Sequence, residues 1–218
     1  MTQKFAFIAS AVALLAGSPA FAAAVIGDLS SSGFSYGSLT ATGFVNYTAY
    51  PSGASNCLSL GACYNGSDKY AIIAASGNPG ELLIHPGPGA GGNSAVQYTA
   101  PSSGLFSLSS ILTSADIGQK NVGFFTIINN FLTANTVGSI SGGASQAVDG
   151  TFALQAGDSV GIFVNNGDGN YSNDSTHASG TISAVPEPAT WAMLLLGFGM
   201  IGFAMRKRSN VRTTVSYA

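Results

Sequence analysis

Charged side chains are scarce. Asp, Glu, Lys and Arg make up 7% of the 218 residues, against about 25% in an average globular protein. That deficit excludes an ordinary soluble cytosolic enzyme, while a hydrophobic content of 46% excludes a disordered chain. Histidine and cysteine are also rare. With only His85 and His177 to join Cys57 and Cys63, a zinc site is not expected. No Gly-x-Ser-x-Gly stands in a strand-turn-helix setting, which removes the support for a hydrolase elbow. Glu81 is the one Glu between residues 23 and 185, so no glycosidase pair of carboxylates can be picked out. Long apolar stripes of helical period are missing as well.

The charge that is present lies unevenly. Four of the seven cations, Arg206, Lys207, Arg208 and Arg212, follow residue 205. Between residues 23 and 185 eight acids face two lysines, a net charge of −6. A surface so poor in cations excludes nucleic acid as a partner.

Both ends read as addresses. Residues 1–22 have the form of a secretory signal peptide: Lys4 is the positive n-region, 5–15 the apolar region, and Ala20-Phe21-Ala22 the small-x-small cleavage site. The expected route is the Sec translocon and signal peptidase, leaving a mature chain that starts near Ala23. At the other end residues 189–205 are uncharged and Arg206, Lys207 and Arg208 follow at once. At about 1.5 Å per residue this run spans about 25 Å, adequate for a single transmembrane helix with flanking residues at the interface. Trp191 suits the outer boundary and the basic cluster the cytoplasmic one, which leaves 209–218 as a short cytoplasmic extension. Export into an oxidising compartment favours a local disulfide between Cys57 and Cys63 over two free thiols.

Pro186-Glu187-Pro188, then Trp191-Ala192-Met193, a Gly-rich apolar helix and the Arg206-Lys207-Arg208 stop together resemble the PEP-CTERM sorting tail of Gram-negative bacteria. The resemblance implies that residues 185–208 are read by an exosortase, an inner-membrane cysteine transpeptidase, and that the chain is its substrate. It also implies a membrane-anchored precursor whose product reaches the outer surface or extracellular polysaccharide matrix. Physically, the two prolines disfavour helix and hold the motif extended, a form that a protease-like cleft binds as a strand. Gly197, Gly199 and Gly202 allow close packing against a membrane partner. The chain departs from such tails by continuing through 209–218. Tails of this kind also occur on some ice-binding proteins, but Thr shows no fixed period here that would favour that reading.

The middle, residues 23–184, has the size of one domain. Runs at 43–50, 69–75, 81–85, 94–100, 104–112, 121–128, 150–156, 158–165 and 177–185 are rich in aromatic and β-branched residues and bounded by Gly, Pro, Asn and Ser. Many short strands without helices predict an all-β, two-sheet sandwich, with Gly157-Asp158 as a tight hairpin turn. Phe34-Ser35-Tyr36-Gly37, His85-Pro86-Gly87-Pro88, the stretch from Val96 through Tyr98-Thr99-Ala100-Pro101 to Phe106, and Ala156-Gly157-Asp158 resemble a jelly-roll ectodomain of PEP-CTERM proteins. The Tyr-Thr-Ala-Pro pattern is also similar to that of jelly-roll carbohydrate-binding modules.

No catalytic residue, cofactor or metal is assigned. His85 and His177 are expected at strand–loop junctions, as structural imidazoles lacking a nucleophile and orienting partner. Asp168, Asn170 and Asp174 form the densest oxygen cluster and a weak calcium candidate, set against a solvated Gly/Asn loop. Tyr36, Tyr47, Tyr50, Tyr64, Tyr70, Tyr98 and Tyr171 offer rings for sugar stacking, or half-buried core positions. The expected function is a non-catalytic matrix component, with a carbohydrate-binding module as the alternative and a secreted hydrolase or ice-binding protein as weaker ones.

Overall fold

Short β-branched and aromatic runs between Gly, Asn and Pro form strands throughout the ectodomain. The computed structural model describes residues 23–29, 31–57, 61–66, 69–88, 92–186 and 188–207. The expected signal peptide 1–22, Glu187 of the sorting motif, Arg208 and the extension 209–218 lie outside the described residues. In chain order the strands are β1 (Ala24–Val25), β2 (Phe34–Thr40), β3 (Gly43–Asn46), β4 (Thr48–Tyr50), β5 (Cys63–Asn65), β6 (Ile72–Ala75), β7 (Glu81–His85), β8 (Asn93–Thr99), β9 (Gly104–Ser114), β10 (Lys120–Ile128), β11 (Phe131–Ile140), β12 (Ser145–Leu154), β13 (Ser159–Asn165) and β14 (Thr176–Ala184). Among the described residues one α-helix, α1, covers Pro188–Lys207.

The strands make two antiparallel sheets, ordered β12-β9-β14-β7-β6-β5-β4 and β11-β10-β13-β8-β2-β3, with β1 paired to the end of β14. Strands β7 to β14 explain the arrangement. They contribute four to each sheet, as β7-β14-β9-β12 and β8-β13-β10-β11, and every connection crosses between sheets except the β10–β11 hairpin. This is a jelly roll, which buries one face of each sheet against the other. The earlier strands extend it at one side, β2 and β3 beyond β8 and β4 to β6 beyond β7.

The inward residues are those at every second position. Leu82 and Ile84, Phe106, Leu108 and Leu112, and Ala178 and Ile182 meet Val96 and Tyr98, Val160, Ile162 and Val164 in one buried cluster. Each such aliphatic side chain contributes about 1.5–3 kcal/mol on burial. A smaller cluster of Ala95, Phe125 and Phe163 lies on the other face of the second sheet, packed by Leu39 and Phe44.

Three sequence expectations need correction. Residues 43–50 are not one strand: β3 belongs to one sheet and β4 to the other, with Tyr47 at the crossing and its N–H donating to Tyr36 O at 2.8 Å. Gly157-Asp158 is not a hairpin turn, because β12 and β13 lie in different sheets. The Asp158 carboxylate instead accepts N–H bonds from Gln155 at 2.8 Å and Asn129 at 3.0 Å, tying the crossover to a neighbouring turn. That neighbour is the one tight hairpin of the jelly roll: Asn129 and Asn130, with φ of 52° and 64°, are both left-handed, as a type I′ turn requires. The strand it leads into, β11, was not expected. It lies at a sheet edge and is exposed along nearly its whole length, so polar Thr, Asn and Ser hide the alternation.

Candidate functional site

A cleft of about 450 Å³ opens where β2 and β3 of one sheet approach β4 and β5 of the other. Its walls include Ser38, Asn46, Tyr47, Thr48, Tyr50 and Asn65, with Gly87, Pro88, Gly92 and Asn93 from the β7–β8 connection. Side-chain hydrogen bonds fix this wall. Asn93 imitates a backbone rung, its Oδ1 accepting from Leu39 N at 2.6 Å and its Nδ2 donating to Leu39 O at 2.9 Å, so the end of β2 is held to the start of β8. Tyr47 Oη donates to Asn93 O at 2.9 Å and lies 3.0 Å from Ser94 Oγ, which donates to His85 O at 2.7 Å. Asn65 is buried and donates through Nδ2 to Lys69 O at 3.2 Å, closing a turn in which Lys69 is left-handed (φ 70°). Glycine is required at position 92, where a Cβ would lie 2.0 Å from Gly87 O.

The lining is neutral. Amides, hydroxyls and two phenol rings face the space, and among the described residues lining it none is Asp, Glu, Lys, Arg or His. Beside it Tyr70 and Tyr171 pack at 5.0 Å between centroids, and His85 meets Tyr171 edge-on at 6.3 Å. Of the tyrosines considered for sugar contact, Tyr36 and Tyr98 instead belong to the core, and burial raises the pKa of both phenols. Tyr64 packs on Tyr36 at 4.4 Å.

The histidines do not assemble a catalytic group. His85 Nδ1 lies 2.9 Å from Tyr70 O and 2.8 Å from Pro86 O. Carbonyls only accept, so this nitrogen carries the proton and the ring braces the loop. His177 Nδ1 lies 2.7 Å from Glu81 Oε1. That pairing has the form of an oriented base, yet its cross-strand neighbour Thr113 is bonded to Ser145 Oγ at 2.8 Å, away from the imidazole. The Gly33-Phe34-Ser35-Tyr36-Gly37 stretch runs into β2, and no helix follows it.

The oxygens of the calcium candidate are divided. Asp168 Oδ1 accepts Asn170 N at 2.8 Å and Asn170 Oδ1 accepts Ser172 N at 3.1 Å, two successive Asx turns. Asp174 is fully buried. Among the described residues no group of three or more His, Cys, Asp or Glu is placed to hold a metal ion.

Sequence reading missed the polar cluster around Asp174. Lys120 is 0% exposed, and its Nζ donates to Asp116 Oδ1 at 3.1 Å and to Asn173 O and Ser175 O at 3.3 Å. It ties the β9–β10 loop to the residues leading into β14. Neither carboxylate oxygen of Asp174 has a hydrogen-bond donor, and its pKa is raised to about 6. Desolvation is the main cause; Lys120 opposes it, while Asp168 and Asp116 add to it. A disulfide joins Cys57 to Cys63, with Cα atoms 5.7 Å apart.

The C-terminal segment begins where the sandwich stops. Val185 N donates to Leu105 O at 2.8 Å, and the next residue, Pro186, has no N–H to extend the ladder. From Pro188 the chain is helical through Lys207, over 20 residues. Among the described residues no helix is long and apolar enough to cross a membrane. Residues 184–209 match the PEP-CTERM protein-sorting motif.

The tail is similar to a PEP-CTERM sorting motif.

Its presence implies an exported precursor processed by an exosortase. The PEP-CTERM match starts at the last residue of β14, so the motif and the jelly roll adjoin without a linker. No curated protein matches the sequence. Among solved structures, a family 29 carbohydrate binding module from Piromyces equi is similar over 69% of this chain and 89% of its own, at 14% identity and a TM-score of 0.32. The N-terminal cellulose-binding domain of Cellulomonas fimi β-1,4-glucanase C is similar over 54% and 88%, at 13% identity and a TM-score of 0.33. The secreted serine protease VesC from Vibrio cholerae is similar over 53% and 24%, at 16% identity and a TM-score of 0.33. None of these likenesses assigns a ligand to this chain.

Proposed function

We propose that the chain is the precursor of a non-catalytic cell-envelope or exopolysaccharide-matrix protein of a Gram-negative bacterium. Residues 1–22 direct it to the Sec translocon and are removed by signal peptidase. The uncharged segment 189–205 then holds it in the inner membrane, with Arg206, Lys207 and Arg208 on the cytoplasmic side. An exosortase recognises Pro186, Glu187 and Pro188, with Trp191 at the outer interface, and processes the tail on the way to the surface.

The observation that carries this reading is the junction at Val185. The compact unit of the ectodomain ends there, at its last backbone rung, and the matched motif takes over. Removing the tail beyond Val185 therefore leaves every strand of the jelly roll in place. The test replaces Pro186 and Pro188 by Ala and follows C-terminal mass and cell fractionation. The wild-type product is expected to lose 206–218 and leave the inner membrane, and the variant to keep them and stay. Identical intact chains in both would refute directed processing.

A second reading, a carbohydrate-binding module of the extracellular matrix, is favoured by one observation: the neutral, amide- and hydroxyl-lined cleft beside the β3–β4 crossing.

A further inference from the structure

The cleft and the point where the tail leaves lie at opposite ends of the sandwich. β14 begins at Thr176, opposite Ile84 near the end of β7, and finishes at Ala184, opposite Phe106 near the start of β9. Its nine residues, at about 3.3 Å each, separate the two ends by about 30 Å. From Ile84 the chain passes through His85 to Gly87 and Pro88 in the cleft wall, and β8 starts there at Asn93. The mature N-terminus lies at the other end, since Ala24 pairs with Ile182.

The wall itself selects a chemistry. Asn46, Thr48 and Asn65 bring amides and a hydroxyl, and Tyr47 and Tyr50 bring aromatic rings. These groups suit a ligand that presents many hydroxyls on rings with apolar C–H faces. Among the described residues no lining side chain is ionisable as an acid or base near neutral pH, so a uronate, sulfate or phosphate meets no counter-charge from them. The ectodomain net charge of −6 also repels such anions. The Asn93–Leu39 and Tyr47–Asn93 bonds hold the wall in place before a ligand arrives, which lowers the entropy lost on binding.

We propose that this cleft binds an uncharged polysaccharide, at the end of the sandwich opposite Val185. The proposal rests on the carbohydrate-binding reading and adds the site and the ligand class.

The test uses the full chain in detergent and electrophoresis through gels containing hydroxyethyl cellulose, dextran, galactomannan or the anionic alginate. At least one neutral polymer is expected to retard the protein, and alginate is not. Asn46 and Thr48 are exposed, so the N46A/T48A variant leaves the core untouched; with Tyr50→Ala it is expected to weaken retardation at least tenfold. Phe131→Ala on the edge strand β11, 74% exposed, serves as the control and is expected to change nothing. Failure of every polymer, alginate included, to bind overturns the site and the carbohydrate reading together. Retardation undiminished in N46A/T48A and Tyr50→Ala overturns the site and leaves that reading standing, and binding of alginate alone overturns the ligand class.

Discussion

Replacing Asp174 by Asn is expected to stabilise the ectodomain at neutral pH and to leave it unchanged in acid. The folded protein holds this carboxyl with a pKa of about 6, against an ordinary value of 3.8, because burial removes its water and no donor replaces it. For an acid whose pKa is raised by folding, the unfolded chain releases the proton more readily. Stability is therefore greatest below about pH 4, falls as pH rises from about 4 to about 6, and is flat above that. A shift of about two units corresponds to about 3 kcal/mol as a ceiling, at 1.36 kcal/mol per unit. Lys120 lies close enough to favour the charged form, and its loss of that partner in the variant offsets part of the gain. We expect a net stabilisation of about 1–2 kcal/mol at pH 8, opening between pH 4 and 6 and absent at pH 4. Urea unfolding followed by circular dichroism at several pH values measures it, with midpoint and slope fitted together. A variant less stable than the parent at pH 8 would refute the reasoning, because it would mean that Lys120 and an ionised Asp174 form a net stabilising pair.

Other consequences follow from single residues. Phe106→Ala empties a fully buried core position between the sheets and is expected to destabilise by about 3–5 kcal/mol in the same urea assay. Asn130→Val places a β-branched residue at a φ of 64° in the β10–β11 turn and is expected to cost about 1–2 kcal/mol, whereas Asn130→Gly is expected to be nearly neutral. Gly118→Ala puts a Cβ 2.2 Å from Asp174 Oδ1 and 2.4 Å from Asn173 O, so it is expected to lower the melting temperature and loosen the Lys120 cluster, seen as faster amide exchange at Ser175. Cys57→Ser/Cys63→Ser opens a loop with a sequence separation of 6 and is expected to cost about 2 kcal/mol, with a local rise in proteolysis near residues 57–63.

What could be read along the chain was whatever depends on near neighbours. The strands at 81–85, 104–112, 121–128 and 158–165 were visible because alternation and bounding turn residues act over a few positions. The sorting tail was visible for the same reason, since Pro-Glu-Pro, an apolar run and a basic stop follow one another in linear order. The Asn129-Asn130 turn is equally local, but the exposed strand after it lacks the apolar face that would mark it in the sequence. Lys120, in contrast, looks like any surface lysine until the loop at Asn173 and Ser175 closes over it. Likewise, nothing near Gly157 tells whether the next strand joins the same sheet or the opposite one.

The sequence by itself determined the strand chemistry, the low charge and the address at the C-terminus, because each is a sum over side chains or a short pattern. Only the tertiary structure decided where the polar groups meet. Asn93 reaches Leu39 across 54 residues, Tyr47 turns from one sheet to the other, and Gly87 closes on Gly92, so that a neutral cleft forms about 30 Å from Val185. Such a site depends on strand pairing between distant segments, and pairing is set by the packing of two sheets around one core.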